Sequence, residues 1–100
     1  MEPIFHITEA AQWYAAAATG VYTGSTRGKS VDDVGFIHCS YAHQVRPTAE
    51  LIYGDATDEL VLLTIDPDRV TAPIKVEADF PHIYGPLTVD AVIAVDPFNA

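Results

Sequence analysis

Apolar and polar residues alternate along several short stretches of this chain, and helical spacing appears twice. Pro3 to Thr8 alternates with period two, which predicts a strand carrying His6 and Thr8 on one face and Phe5 and Ile7 on the other. Ala10 to Thr19 is rich in alanine, with Trp13, Tyr14 and Ala17 at helical spacing and Gly20 as its stop. Thr8 reads equally as the cap of that helix, ahead of Glu9. Val21-Tyr22 reads as a short strand, and Thr23 to Asp33 as a long polar loop suited to a binding loop or lid. Phe36 to Ser40 is a second clear strand, with Phe36, His38 and Ser40 on one side and Ile37 and Cys39 on the other. Tyr41 to Tyr53 reads as a second helix, provided that Pro47 lies in its first turn, with Gly54 and Asp55 closing it. Leu60 to Ile65 is a continuous apolar run, the mark of a central strand buried on both faces. Asp66-Pro67-Asp68 is a turn, and Ile74 to Glu77 is a short strand with Lys75 and Glu77 on one face. Phe80-Pro81-His82-Ile83-Tyr84-Gly85-Pro86-Leu87 reads as a rigid loop, because two prolines fix φ and a glycine frees it. Val89 to Val95 is the last strand, stopped by Asp96-Pro97. Mostly strands with two helices near the front predicts an α+β fold.

Composition narrows the class. One hundred residues make a single domain, 1–100, and 49% hydrophobic against 19% charged residues supply a core. Five cations against fourteen acids leave a net charge of −9, which argues against nucleic acid and anionic membrane as partners. The close basic pair is Arg27 and Lys29. Cys39 is the single cysteine, so an intrachain disulfide is impossible and cysteine metal sites are not available. No stretch has the length and apolarity of a membrane span, and no signal peptide is visible. These features read as a soluble, cytoplasmic protein.

The candidate chemistry is carried by histidines and hydroxyls. His6-x-Thr8 and His38-x-Ser40 repeat one signature, in which a strand places an imidazole and a hydroxyl on one face, about 6–7 Å apart. His82 and Tyr84 on the rigid loop would close a cluster able to bind hydroxyls, amides or phosphates. Each has a plainer reading: a satisfied structural histidine, a helix cap for Thr8 or Ser40, a loop pin for His82, a core aromatic for Tyr84. His43 reads as solvated. A zinc site of His6, His38 and His82 lacks both the i, i+4 spacing and a nearby carboxylate, so no metal is expected. Cys39 faces away from His38, which argues against a Cys–His nucleophile. Glu77, three residues before Phe80, is placed to orient a ribose hydroxyl or act as a base; the plainer alternative is a strand acid paired with a cation.

Ile4-Phe5-His6-Ile7-Thr8, Trp13, Gly20-Val21-Tyr22, Gly35 to Ser40, Gln44, Leu60 to Leu63, Glu77 and Phe80 to Leu87 together resemble the domain-of-unknown-function family nine-five-two, small bacterial and plant proteins. The FIHCS and FPHIYGPL strings carry most of that likeness. The family resembles the ADP-ribosyltransferase superfamily, and the resemblance implies two short antiparallel sheets with two helices and NAD bound in a cleft between the sheets. By that analogy His38, His82 and Glu77 would be catalytic, and His6, Thr8, Tyr22, Ser40 and Tyr84 would touch the cofactor. The function implied is an NAD- or nucleotide-handling transferase. The alternative is a non-catalytic module that binds a small-molecule ligand in the same cleft.

Overall fold

Leu60–Ile65 (β4) lies at the centre of the main sheet, as its unbroken apolar run predicts. The computed structural model describes residues 2–25 and 29–99; Arg27 lies outside the described residues. β4 pairs antiparallel with Ile4–Glu9 (β1) on one side and with Val92–Phe98 (β8) on the other. Both of its faces are covered. One carries Val61, Leu63 and Ile65, which pack with Ile4, Trp13 and Tyr22 in the main core. The other carries Leu60, which joins Ile7, Val45, Ala49 and Tyr53 in a second cluster.

Ala10–Thr19 (α1) follows β1 directly and ends at Gly20, whose φ of 87° only glycine adopts at ease. Its cap position is Glu9 and not Thr8, and no side-chain hydrogen bond caps it. Val21–Tyr22 (β2) pairs with Leu87–Thr88 (β7) as a two-stranded sheet. The expected loop from Thr23 to Asp33 instead contains a helical turn, Val31–Val34 (α2), started by a reciprocal cap between Ser30 and Asp33. Val45–Tyr53 (α3) follows a 3₁₀ turn at Ala42–Gln44, and Pro47 does fall in its first turn, where no N–H is required.

The third sheet has the order Ile37–His38 (β3), Phe80–Ile83 (β6), Ile74–Glu77 (β5). Half of the segment expected to be a rigid loop is therefore the middle strand of a sheet. Pro81 is tolerated there because its backbone faces the end of β3: its carbonyl accepts from Cys39 N at 3.0 Å, and β3 pairs no further. The true turn comes at Gly85, where φ is 155° and an added Cβ would sit 2.9 Å from Ala72 Cβ. Likewise Pro97 does not end the last strand; β8 runs to Phe98, and a proline is accepted on its outer edge.

Among the described residues there are thus three antiparallel sheets and three α-helices, where two of each were expected. The α+β class stands; β2 lies where it was read, while α2 and β7 were too short to register as periodic segments. The first and third sheets are stitched by Phe5 and Ser40, which exchange two backbone hydrogen bonds of 2.8 Å.

β5 and β6 join through a two-residue turn with φ of 50° at Ala78 and 72° at Asp79. That is the left-handed geometry that Asn-Gly favours, and each ill-suited residue costs about 1–2 kcal/mol. Gln44 Nε2 donates to Asp79 O at 2.8 Å and holds the turn to the rest of the molecule. Replacing Ala78→Asn together with Asp79→Gly raises the unfolding free energy by about 1–2 kcal/mol. Urea unfolding at neutral pH measures this, and a loss of stability refutes the strain argument.

Candidate functional site

The β3-β6-β5 sheet has two unlike faces. Ile37, Cys39, Pro81 and Ile83 are buried on the inner face. The outer face carries Phe36, His38, Phe80, His82, Tyr84, Lys75 and Glu77, the parity expected for Phe36/His38 and for Lys75/Glu77.

His38 pairs directly with His82 across β3 and β6. The Cys39 N to Pro81 O bond next to them makes this a non-hydrogen-bonded pair, the type that brings opposed side chains closest. His38 Nδ1 and His82 Nε2 lie 3.4 Å apart. Each phenylalanine packs on the other strand's imidazole: Phe36 stacks on His82 with centroids 4.2 Å apart and planes at 11°, and Phe80 leans on His38 at 5.1 Å. Both strands therefore carry Phe-x-His on one parity. That repeat was present in the sequence and went unread beside the His-x-Thr and His-x-Ser repeat.

Glu77 sits behind His82. Its Oε1 accepts from His82 Nδ1 at 3.0 Å and from the Tyr84 hydroxyl. Tyr84, and then His82, hold the Glu77 carboxyl below the ordinary carboxylate range; Glu77 in turn pushes the Tyr84 phenol up. With Nδ1–H of His82 committed to a carboxylate, the neutral form of that ring turns the lone pair of Nε2 towards His38. The His38 ring is half-buried, and that burial lowers its pKa, with His82 adding to the effect. At neutral pH His38 is thus uncharged.

His38 lines a cleft of about 460 Å³ between this face and α3. Phe36, Phe80, Val34, Leu51 and Ile52 make its apolar walls, and Lys29 stands at its rim. Lys29 is the described residue of the 23–33 segment that lines it. A second cleft of about 400 Å³ lies between α1 and the chain after β2, with Gln12, Thr19, Gly24 and Ser30 in its lining. It shares Lys29 and also meets Tyr22, and no histidine or carboxylate is among the described residues that line it.

The other expected cofactor contacts point elsewhere. His6 and Thr8 share a face, as read, but that face is the main core: they are 3% and 0% exposed. His6 Nδ1 donates to His38 O at 2.7 Å, which leaves Nε2 to accept from the Tyr22 hydroxyl at 2.8 Å. Both ring nitrogens are spent on pinning β1 and β2 to the backbone of His38, so the zinc triad of three imidazoles cannot form. Tyr22 is 1% exposed, and burial drives its phenol pKa up. Thr8 Oγ1 has no hydrogen-bond partner among the described residues. Ser40 Oγ reaches Thr48 Oγ1 at 3.5 Å beside a hollow of about 10 Å³ that His6 and His38 also line, room for about one water. His6, His38 and His82 therefore form a contiguous line, yet only His38 opens on the large cleft. Cys39 is fully buried, its thiol pKa raised by that burial, and it plays no part at the surface.

The fold and this outer face define a small α+β domain with a histidine-bearing cleft on its third sheet. The chain belongs to the family described as "Protein of unknown function (DUF952)", whose model matches residues 7–95. It is similar to the crystal structure of protein CC0527 from Caulobacter crescentus, at 34% identity and TM-score 0.81 over 97% of this chain and 86% of that one. A doubly methionine-substituted variant of that protein gives the same values. The solution NMR structure of CC0527 matches with TM-score 0.71, over 100% of this chain and 89% of that one. No curated protein matches the chain. No helix among the described residues is long and apolar enough to cross a membrane.

His6 makes the fold sensitive to acid. Burial lowers its pKa to about 4 from 6.5, partly opposed by the hydrogen bond to the His38 carbonyl. The unfolded chain takes up a proton below pH 6.5 that the folded chain refuses until about pH 4. Stability contributed by neutral His6 is thus complete above 6.5 and is lost as pH falls towards 4, by about 3 kcal/mol in total. Urea unfolding across that range, with His6→Gln as reference, isolates this contribution. Equal pH slopes in the two proteins would show that His6 is not held neutral.

Proposed function

We propose that this chain handles a nucleotide of the NAD class in the cleft beside His38. The ligand's planar ring lies between Phe36, Phe80 and Ile52, and Lys29 meets its phosphates. The reading rests on one observation: the line Glu77–His82–His38, which backs the single imidazole on the wall of an aromatic cleft. The cleft's volume falls in the range of small-ligand sites, about 300–1,000 Å³. Its chemistry suits a ligand with a ring at one end and negative charge at the other. Neutral His38 is the group placed to take a proton from an attacking hydroxyl or water as the nicotinamide–ribose bond breaks. The proton moves to an unoccupied nitrogen of His38, and nicotinamide leaves with the bonding electron pair. His82 and Glu77 position that ring. His6 fixes its backbone, and Tyr22 fixes His6. On this reading the resemblance to the ADP-ribosyltransferase superfamily holds for both fold and ligand, with the ligand between a sheet and α3 instead of between two sheets.

A second reading keeps the ligand and removes the reaction. It is favoured by the position of Glu77, which faces His82 and Tyr84 and is not among the residues lining the cleft. On that reading the domain is a binding module for a small anionic metabolite.

Incubation with NAD, followed by chromatography for free nicotinamide, tests the first reading. The unmodified chain releases nicotinamide, and His38→Ala lowers the rate by about 10²-fold. Calorimetry with NAD separates the alternatives: binding without release supports the module, and no heat at millimolar NAD overturns both for this ligand.

A further inference from the structure

The contact between His38 and His82 is a poor hydrogen bond. Its 3.4 Å exceeds the usual span of an N–H donor and its acceptor, about 2.9–3.0 Å. It is close to the distance between two nitrogens on one tetrahedral cation: zinc–nitrogen bonds of about 2.0–2.1 Å place them about 3.3 Å apart. The rings meet at 51°, a corner and not a stack.

What surrounds the pair fits the same use. A metal-bound imidazole is normally oriented by a carboxylate on its other nitrogen, which fixes the tautomer and raises the ring's basicity. Glu77 does this for His82 at 3.0 Å, with Tyr84 steadying the carboxylate. Phe36 and Phe80 clamp the two rings in place, and the cross-strand register fixes their bases. His6 ties down the His38 carbonyl at 2.7 Å. The chain's net charge of −9 favours a cation in general. Lys75, paired with His82 on β5, opposes it locally, but its ammonium rests over the Tyr84 ring, 5.2 Å from the centroid.

We propose that His38 Nδ1 and His82 Nε2 together bind one divalent cation of the zinc-to-copper type, with Glu77 as the outer carboxylate. Among the described residues no set of three His, Cys, Asp or Glu side chains converges as a metal site. The remaining coordination positions therefore belong to water or to an oxygen of a bound ligand, and the cation is exchangeable. Neutral imidazole favours zinc, nickel and copper over magnesium and calcium. Seating the cation requires the lone pair of His38 on Nδ1 and its proton on Nε2. The cation then removes the lone pair that His38 would otherwise offer to the cleft, and so turns the proposed base off. Binding of the cation itself does not depend on any nucleotide reading of the cleft.

The test is calorimetry with zinc chloride alone on the full chain at neutral pH, together with imidazole nitrogen NMR. One saturable site is expected. His38→Gln and His82→Gln each weaken it by at least about ten-fold, and Glu77→Gln by about 10- to 100-fold. His43→Gln, on the exposed 3₁₀ turn, leaves it unchanged. In the unmodified chain zinc shifts the nitrogens of His38 and His82 and not those of His6, so the spectrum decides even if a variant fails to fold. No saturable binding, full affinity in His82→Gln, or shifts confined to other histidines would overturn the proposal.

Discussion

The register between β3 and β6 is the constraint on which the site depends. Because side chains alternate along strands, a slip of β3 by one residue would send His38 into the core, bring Ile37 out to solvent and part His38 from His82. Burial of Ile37, Cys39 and Ile83, each fully enclosed, opposes that slip. Apolar burial on the inner face thus fixes polar geometry on the outer one. The two phenylalanines add to this: Phe36 stacks and Phe80 leans diagonally on the opposite strand's imidazole, contacts that a shifted register would break.

The second support is a buried polar one. His6 would be costly in the core if either nitrogen were unpaired. It is paired at both, and its partners belong to different sheets: the carbonyl of His38 and the hydroxyl of Tyr22. Together with the Phe5–Ser40 bridge, it locks β1 against the segment that carries His38. Removing His6 would strand a carbonyl and a phenol as well as emptying its own volume. Its role is to hold the backbone from which the reactive side projects.

Much of this was legible from residue patterns, with failures that have physical causes. The parity of Phe36 and His38, the double burial of Leu60–Ile65, the glycine stop of α1 and the first-turn position of Pro47 all follow from local rules and appear as read, although the strand read over Phe36–Ser40 pairs only at Ile37–His38 and Ser40 is buried. Parity tells which residues share a face but not what that face meets. His6 and Thr8 do lie together, and they meet Trp13 and Tyr22 instead of solvent, because β1 is sandwiched between α1 and α3. Pro81 and Gly85 made Phe80–Leu87 look like one loop; strand pairing with β3 and β5 overrode that preference for the first four residues. The role of Glu77 needed the hairpin turn to bring it back beside His82, a contact across sequence that no spacing displays.

Proline at position 81 has a topological effect. In the antiparallel ladder, the N–H of residue 81 is the group that would close a ring with the carbonyl of Cys39; proline makes that closure chemically impossible. The zipper between these two strands therefore halts after the single bond from Cys39 N to Pro81 O. Ser40 is released to bond with Phe5, and the chain is free to veer off into α3. A missing hydrogen thereby opens the wedge between strand and helix in which the aromatic cleft lies.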